Sequence, residues 1–291
     1  MKQNRYSHFY STIYAYLCQE VYIKNAVIFL LLFTSFSLFF RAAKFDTTIK
    51  NPFLFIFSLY NFVIISHVSD INIIKDRKMV ALYYFICFIA SYLVGCINPA
   101  YIIAKIRGFD IRKKGSGNAG ASNAVIVMGK KIGFLCAVFD VAKAAAVVIV
   151  FGKIFPTLTY AFPICATSCI AGHIFPFYMK FKGGKGLACL GGVILAHDPL
   201  LFAIMISAEA ILLIITKYIC FVPMTASVAF SIIYGIMNKD LIGALILGIA
   251  AAIILFKHVL NIKRIFRGTE AHITMLWNRQ KEIDRIAGNT K

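Results

Sequence analysis

The sequence predicts an all-α, polytopic integral membrane helix bundle, and three observations support this. The 291-residue chain is 60% hydrophobic with a mean hydropathy of +0.80, which leaves too little polar surface for a water-soluble globule. Its apolar runs approach the roughly 20 residues that a helix needs to cross a bilayer. They lack the alternation of a lipid-exposed strand, and unsatisfied backbone groups are prohibitive in hydrocarbon, so the runs are predicted to be helices.

Apolar segments are predicted along most of the chain. They lie near 26–40, 52–68, 79–104, 131–151, 159–177, 186–197, 199–216, 218–237 and 241–256. The last seven form a core of seven transmembrane helices, and the first two supply one or two extra N-terminal segments. Segment 186–197 would be only about 18 Å long at 1.5 Å per residue, against a hydrocarbon core of about 30 Å. It is therefore predicted to be a half-span or a tilted helix in thinned bilayer.

Basic residues are concentrated in alternate connections. The chain has 31 Lys and Arg against 12 Asp and Glu, a formal net charge of +19. Clusters of basic residues lie in loops 105–114 and 178–185 and in the tail after 256. Because cytoplasmic loops carry excess Lys and Arg, seven spans beginning outside put these connections on the cytoplasmic face of the cell (inner) membrane. Such short basic loops favour membrane lipid and phosphorylated substrates as partners, and the lack of a long basic domain argues against nucleic acid.

Three parts are predicted along the chain: an N-terminal extension (1–78), a core (79–270) and a basic cytoplasmic tail (271–291). Two crossing segments in the extension would leave Lys75-Asp-Arg-Lys78 outside, against the positive-inside rule, whereas one crossing segment puts the N-terminus inside. A third interpretation is that translation starts at Met79, just before the first core span. No oligomeric state is predicted.

A glycine-rich stretch, Gly115-Ser-Gly-Asn-Ala-Gly-Ala-Ser-Asn123, follows the first core span and the basic run Arg112-Lys113-Lys114. Its glycines let several backbone N–H groups point at one spot, and Ser116, Asn118 and Asn123 add side-chain donors beside positive charge. We predict a phosphate-binding loop at the bilayer surface, with a solvated turn as the alternative. The glycines also match the G-x-G-x-x-G dinucleotide fingerprint, but a bilayer span precedes them instead of a buried strand, which excludes that interpretation.

A second cluster, Phe181-Lys-Gly-Gly-Lys-Gly186, occupies the next basic connection. Lys182 and Lys185 are predicted to hold a second phosphate, and the alternative is that they are interface anchors with snorkelling stems. His173 lies just before this cluster at the end of a span, either as a pocket residue or as a hydrogen-bonded interface residue.

Two pairs of polar residues are each spaced three apart, so that each pair shares a helix face. His258 and Asn261 are predicted to point into one pocket, and the alternative is a basic amphipathic tail lying on anionic lipid. Asp140 and Lys143 fall within an apolar span, where a lone charge costs on the order of 3 kcal/mol, so an ion pair inside the bundle is predicted.

Three segments in this order resemble the motifs of a known family. GSGNAGASN, GHIFPFYMKFKGGKG and KHVLNIKRIFRGTE look like the motifs of the PlsY-type acyl-phosphate:glycerol-3-phosphate acyltransferases. The resemblance covers roughly 79 to 270. It implies an enzyme that moves an acyl group from acyl phosphate to the 1-hydroxyl of sn-glycerol 3-phosphate, giving lysophosphatidate and phosphate in phospholipid synthesis.

The resemblance also implies roles for individual residues. His173, Lys182 and Asn261 would be catalytic, while Asp140, Lys143 and Glu270 would be structural. Substrate-binding residues would be Ser116, Gly117, Asn118, Gly120, Asn123, Lys185 and His258. For the general base, His173 is the first candidate and a phosphate oxygen of the bound donor is the alternative. No cofactor or metal is expected, because metal-ligand spacing is missing and nearly all of the 8 cysteines fall in apolar segments.

The chain departs from the family pattern at three positions. Ile126 stands where the family usually carries an arginine, which removes a bidentate phosphate ligand. Cys96 and Cys189 replace a serine and a threonine. With the intramembrane Asp140 and Glu209, these departures keep open a transporter or scaffold that binds phosphorylated solutes or lipid headgroups. The gathering of polar clusters on one face, instead of mid-membrane, favours the enzyme.

Overall fold

The computed structural model describes residues 77–270 and 272–276. The two predicted N-terminal apolar segments and most of the basic tail lie outside these residues. Every regular element in the described ranges is a helix, which confirms the all-α prediction. The α-helices are α1 (Arg77–Cys96), α2 (Pro99–Ile106), α3 (Ala121–Met128), α4 (Lys130–Ile154), α5 (Ala161–Ile174), α6 (Leu187–His197), α7 (Pro199–Thr216), α8 (Phe221–Asn238) and α9 (Leu241–Phe266), with short 3-10 helices at Ile111–Lys113, Phe177–Met179 and Ile273–Leu276.

Six spans of the described residues are long and apolar enough to cross a membrane: α1, α4, α7, α8, α9 and the segment Ala161–Met179, which contains α5 and the 3-10 helix after it. The predicted span 186–197 is the 11-residue helix α6, about 16 Å long at 1.5 Å per residue. The predicted segment 79–104 is two helices, because α1 ends at Cys96 and α2 begins at Pro99. Asn98 caps α2 by accepting a hydrogen bond from the Tyr101 N–H, and proline suits the first helical position.

Helix α5 forms the centre of the bundle. All of its residues except Phe162 are buried, and it packs against α1, α4, α6 and α9. Gly172 lets α5 approach α1 closely, because a Cβ there would run into the carbonyl oxygen of Tyr92. Small residues serve this purpose in membrane bundles, where packing rather than hydrophobic burial drives helix association.

Helix α7 lies at the periphery and packs against α6 and α8. Its large apolar side chains are exposed, among them Ile214 at 75% and Leu200 at 70%, as expected for a helix that faces lipid. Glu209 on α7, for which the sequence offers no obvious partner, accepts a hydrogen bond of 2.9 Å from the Thr225 hydroxyl on α8.

The three basic connections lie at one end of the bundle, as predicted. The Arg112 guanidinium donates to the Met179 carbonyl oxygen over 2.6 Å, which joins the connection between α1 and α4 to the one between α5 and α6. Lys185 Nζ donates to Asn261 Oδ1 over 2.7 Å, which joins the latter connection to the end of α9.

The chain after α9 also returns to this end of the bundle. The Ile273 N–H donates to the Lys217 carbonyl oxygen over 2.8 Å, and the rings of His272 and Tyr218 are 4.8 Å apart. Packing therefore continues beyond residue 270, the predicted end of the core.

Candidate functional site

The glycine-rich loop is organised from within by Asn123. This side chain is fully buried, and its Oδ1 accepts from the Ser116 N–H over 2.8 Å. Its Nδ2 lies within 2.8 to 3.1 Å of the carbonyl oxygens of Ile111, Lys114 and Asn118. Both ends of the amide are thus engaged inside the loop, so the side chain shapes the loop and does not face a ligand.

The outer part of the loop offers donors to solvent. Gly115 and Gly117 have φ of +60° and +75°, a conformation that favours glycine. Ser116 and Gly117 are exposed and Asn118 is half-buried. Helix α3 begins directly behind them at Ala121 without a side-chain cap. Its first N–H groups and the positive end of its dipole therefore face the same loop, an arrangement suited to an anion.

Arg112 ties this loop to its neighbours. Its guanidinium makes an ion pair of 2.7 Å with Asp110 and lies over the Tyr101 ring, 4.9 Å from the centroid. The hydrogen bond from Arg112 lowers the pKa of the Asp110 carboxyl, and the same bond raises the pKa of Arg112. From the sequence, Arg112 is predicted to be one of the charges beside the phosphate, whereas in the structure it joins two connections.

A buried polar cluster connects α1, α4 and α5. Lys143 Nζ lies 2.7 Å from Asp140 Oδ1 and 3.2 Å from His173 Nδ1, and His173 Nδ1 lies 3.3 Å from the same carboxylate oxygen. Lys143 also donates to the carbonyl oxygens of Gly95 and Ile97, over 3.0 and 2.6 Å. The predicted Asp140–Lys143 ion pair is confirmed, and His173 completes it from another helix.

Asp140, His173 and Cys189 bring ligand atoms within 4.8 Å of one another, a grouping that can hold a metal ion. The Lys143 ammonium lies against two of these three groups, 2.7 and 3.2 Å away. A positive charge is therefore already present at the centre of the cluster, and repulsion between like charges disfavours a metal cation there.

The second cluster, Phe181–Gly186, forms a lysine-glycine loop that packs directly on His173. The N–H groups of Gly184 and Gly183 donate to the carbonyl oxygens of His173 and Ile174, both over 3.0 Å. A Cβ at Gly184 would run into His173 Nε2. His173 is 3% exposed, with Nδ1 in the buried cluster and Nε2 against the loop. Both ring nitrogens of His173 therefore lie against protein groups, which favours support of the loop over the predicted catalytic role.

Lys185 is the lysine of the loop that points inward. Its Nζ donates to Asn261 Oδ1, and the Asn261 amide in turn donates to Glu270 Oε1. Burial lowers the pKa of Lys185, with Glu270 acting in the opposite direction. Lys182 is exposed on the same loop. These two hydrogen bonds, from Lys185 through Asn261 to Glu270, join the second and third predicted motifs through side chains.

His258 lies one turn before Asn261 on α9 and is also buried. Its Nδ1 lies 2.8 Å from the Ile254 carbonyl oxygen. Because a carbonyl oxygen only accepts, Nδ1 carries the proton and Nε2 of the neutral ring presents a lone pair. Among the described residues, Nε2 has no hydrogen-bond partner.

Lys257 is a residue of this site that the sequence analysis did not assign. Its Nζ lies over the Phe175 ring, 5.4 Å from the centroid, and its charge interacts with those of Lys182 and Lys185. In the sequence it stood as the first cation of a basic tail. Its position four residues before Asn261, on the same helix face, is the signal that could have identified it.

The three departures from the family pattern lie close to this site. Ile126 is half-buried on α3, the helix whose N-terminus faces the glycine-rich loop. Cys96 and Cys189 are both fully buried free thiols. They therefore belong to the packing beneath the site.

Comparisons with known proteins agree on one family. The family model for Glycerol-3-phosphate acyltransferase matches residues 85–268. A glycerol-3-phosphate acyltransferase of Thermoanaerobacter sp. (strain X514) is 39% identical over 189 residues, covering 64% of this chain and 93% of that protein. Glycerol-3-phosphate acyltransferase 3 of Bacillus anthracis is 35% identical over 190 residues, covering 64% of this chain and 93% of that protein.

Two solved structures are also similar. The crystal structure of PlsY (YgiH), an integral membrane glycerol 3-phosphate acyltransferase, in its glycerol 3-phosphate form has a TM-score of 0.61 and 27% identity, covering 66% of this chain and 96% of that chain. Its lysophosphatidic acid form has a TM-score of 0.59 and 27% identity, covering 65% of this chain and 94% of that chain.

Proposed function

The chain belongs to the glycerol-3-phosphate acyltransferase family, and we propose that its acyl donor is an acyl phosphate. The protein is a multi-pass membrane acyltransferase of phospholipid synthesis. In the proposed reaction, the 1-hydroxyl oxygen of glycerol 3-phosphate attacks the carbonyl carbon of the donor and forms the ester bond. The bond from that carbon to the phosphate oxygen breaks, so lysophosphatidate and inorganic phosphate are the products.

The observation that carries this proposal is the chain of contacts from Lys185 through Asn261 to Glu270. It gathers the second and third motifs at the end of the bundle where the glycine-rich loop presents its open donors. Both reactants of the proposed reaction carry a phosphate, so two neighbouring anion sites beside the membrane are what it needs. A scaffold for a single headgroup would need only one of them.

Each loop takes one phosphate in this proposal. Ser116, Gly117 and Asn118 bind one of them together with the N-terminus of α3, and Lys182 and Lys185 bind the other. Gly120 and Asn123 maintain the shape of the first loop. Cations and N–H donors on the leaving phosphate stabilise the charge that grows as the carbonyl is attacked. Holding the hydroxyl beside that carbonyl converts a bimolecular encounter into a positioned one.

The proton of the attacking hydroxyl needs an acceptor. We assign this task to His258 instead of His173, because Nε2 of His258 carries a lone pair and His173 is enclosed by Asp140, Lys143 and Gly184. The proton then passes to the departing phosphate, which keeps the reaction balanced. A phosphate oxygen of the donor that takes the proton directly is the alternative, and it makes a different prediction for a His258 variant.

The distribution of charge supports a proposal for the orientation in the membrane. We propose that the loop end of the bundle lies on the cytoplasmic face of the cell (inner) membrane, because its connections carry most of the Lys and Arg of the described core. The acyl chain of the donor would lie among the helices, in contact with membrane lipid. We also propose that the acyltransferase core begins near residue 79 and that residues 1–78 are an extension of the sequence before it.

The test uses the full-length protein in lipid vesicles with labelled glycerol 3-phosphate. We expect palmitoyl phosphate to yield labelled lysophosphatidate and inorganic phosphate in equal amounts. Lys185→Met should lower kcat/KM at least about ten-fold, the loss of one charged hydrogen bond. Lys153→Met removes an exposed lysine at the other end of the bundle and serves as the matched control. Turnover with a palmitoyl thioester but not with palmitoyl phosphate would overturn the proposed donor.

A further inference from the structure

The charges of three lysines from two elements act on one another. Lys182 and Lys185 belong to the lysine-glycine loop, and both of their charges act on Lys257 of α9. Lys257 is half-buried, with its Nζ 5.4 Å from the centroid of the Phe175 ring. An ammonium group over an aromatic face is held in a defined direction. This orientation distinguishes Lys257 from an interface lysine whose charge snorkels to water.

Positive charge at this place exceeds negative charge. Arg264 adds a fourth cation that interacts with Lys185, and Glu270 is the carboxylate whose charge acts on Lys185. No carboxylate of the described residues lies within the 4.0 Å of an ion pair with Lys257. Like charges that share a partly buried site repel one another. The grouping is therefore unfavourable until an anion binds among the lysines.

Helix geometry sets Lys257 beside the residues that already line the site. Lys257 and Asn261 are four apart on α9 and so share one face of the helix. Asn261 accepts the hydrogen bond from Lys185 over 2.7 Å. A ligand that contacts Lys185 next to Asn261 is consequently within one helical turn of Lys257.

We propose that Lys257 is a further substrate-binding residue, and that it binds a phosphate group together with Lys182 and Lys185. The ligand chemistry is a phosphate monoester or acyl phosphate, with close to two negative charges near neutral pH. Three ammonium groups match this charge better than two, and Lys257 is supplied by α9 and not by the loop itself. The inference rests on the proposed function only for the identity of the substrate that carries the phosphate.

The first experiment measures binding without turnover. Isothermal titration of the full-length protein in lipid nanodiscs with glycerol 3-phosphate, and separately with inorganic phosphate, is compared for wild type, Lys257→Met and Lys257→Arg. The control is Lys263→Met, which removes an exposed lysine from the same helix. We expect Lys257→Met to weaken binding of at least one of these anions on the order of ten- to a hundred-fold, as for one charged hydrogen bond. The Lys257→Arg and Lys263→Met variants should stay near wild type.

The second experiment identifies which substrate carries the phosphate. KM is measured for glycerol 3-phosphate and for palmitoyl phosphate in turn. A rise confined to glycerol 3-phosphate places Lys257 at the acceptor, and a rise confined to palmitoyl phosphate places it at the donor. Either result supports the inference. Unchanged binding and unchanged KM for both substrates in Lys257→Met would overturn it.

Folding and the proposed donor are controlled separately. If Lys257→Met fails to fold, Lys257→Gln, which keeps a polar group over the ring, takes its place in both experiments. If the wild type binds glycerol 3-phosphate yet does not turn over palmitoyl phosphate, the proposed donor fails while the titration still decides the role of Lys257.

Discussion

Replacing Lys143 by methionine tests the buried cluster most directly. Methionine fills a similar volume but leaves the Asp140 carboxylate without the ammonium that lies 2.7 Å from it. The carbonyl oxygens of Gly95 and Ile97 lose their donor in the same step. Asp140 and Lys143 are 2% and 6% exposed, so water cannot replace the lost partner.

The expected destabilisation follows from this burial. Removing one partner of a buried ion pair costs about 3 to 5 kcal/mol, because the other charge is left uncompensated. For a folded unit of 150 to 250 residues, about 1 kcal/mol lowers Tm by roughly 2 to 4 °C. Lys143→Met should therefore lower Tm by about 6 to 20 °C. The double variant Asp140→Asn/Lys143→Met removes both charges and should recover more than half of this loss.

Thermal unfolding in detergent with a thiol-reactive fluorogenic dye measures the effect. All free cysteines of the described residues are buried, so in a Cys18→Ala background dye reaction reports loss of packing. Lys153→Met, on the exposed side of the same helix, controls for the substitution itself. A Lys143→Met protein with wild-type Tm, or a double variant no more stable than the single one, would show that the Asp140–Lys143 ion pair does not stabilise the bundle.

Further predictions concern the loops and the proton acceptor. Burial lowers the pKa of Lys185, so its charge is lost before that of an ordinary lysine as pH rises. KM for the substrate whose phosphate Lys185 binds should rise over the pH range in which this charge is lost, and Lys185→Arg, which stays charged, should flatten the rise in a pH series. Asn123→Ala removes the hydrogen bonds that shape the glycine-rich loop and should raise KM for one substrate about ten-fold in steady-state assays. His258→Gln should lower kcat on the order of a hundred-fold with little change in Tm, whereas His173→Gln should mainly lower Tm. Unchanged kcat in His258→Gln would favour the donor phosphate as the proton acceptor.

Helices and their approximate limits could be predicted because bilayer thickness imposes a length on every apolar run. The boundary within 79–104 could not be read from hydropathy, because Asn98 and Pro99 interrupt the helix while the surrounding residues stay apolar. Helix periodicity predicted that Asp140 lies on the same helix face as Lys143, and His258 on the same face as Asn261, since residues three apart share a face.

Contacts between separate elements were harder to predict. His173 meets Asp140 because of how α5 is rotated against α4, and a rotation is set by packing across the whole interface. Lys257 likewise faces Lys182 and Lys185 through the packing of α9 beside the lysine-glycine loop. Periodicity indicates which side chains share one face of a helix. It carries no information on which helix packs against that face.

The backbone hydrogen bond between Ile273 and Lys217 has a practical consequence. It holds the segment after α9 against the turn between α7 and α8. Glu270, which accepts the hydrogen bond from the Asn261 amide, lies three residues before Ile273. A bulky tag or antibody fused within the next few residues would strain this attachment and disturb Asn261 from a distance. Labels for purification or imaging are better joined after a spacer.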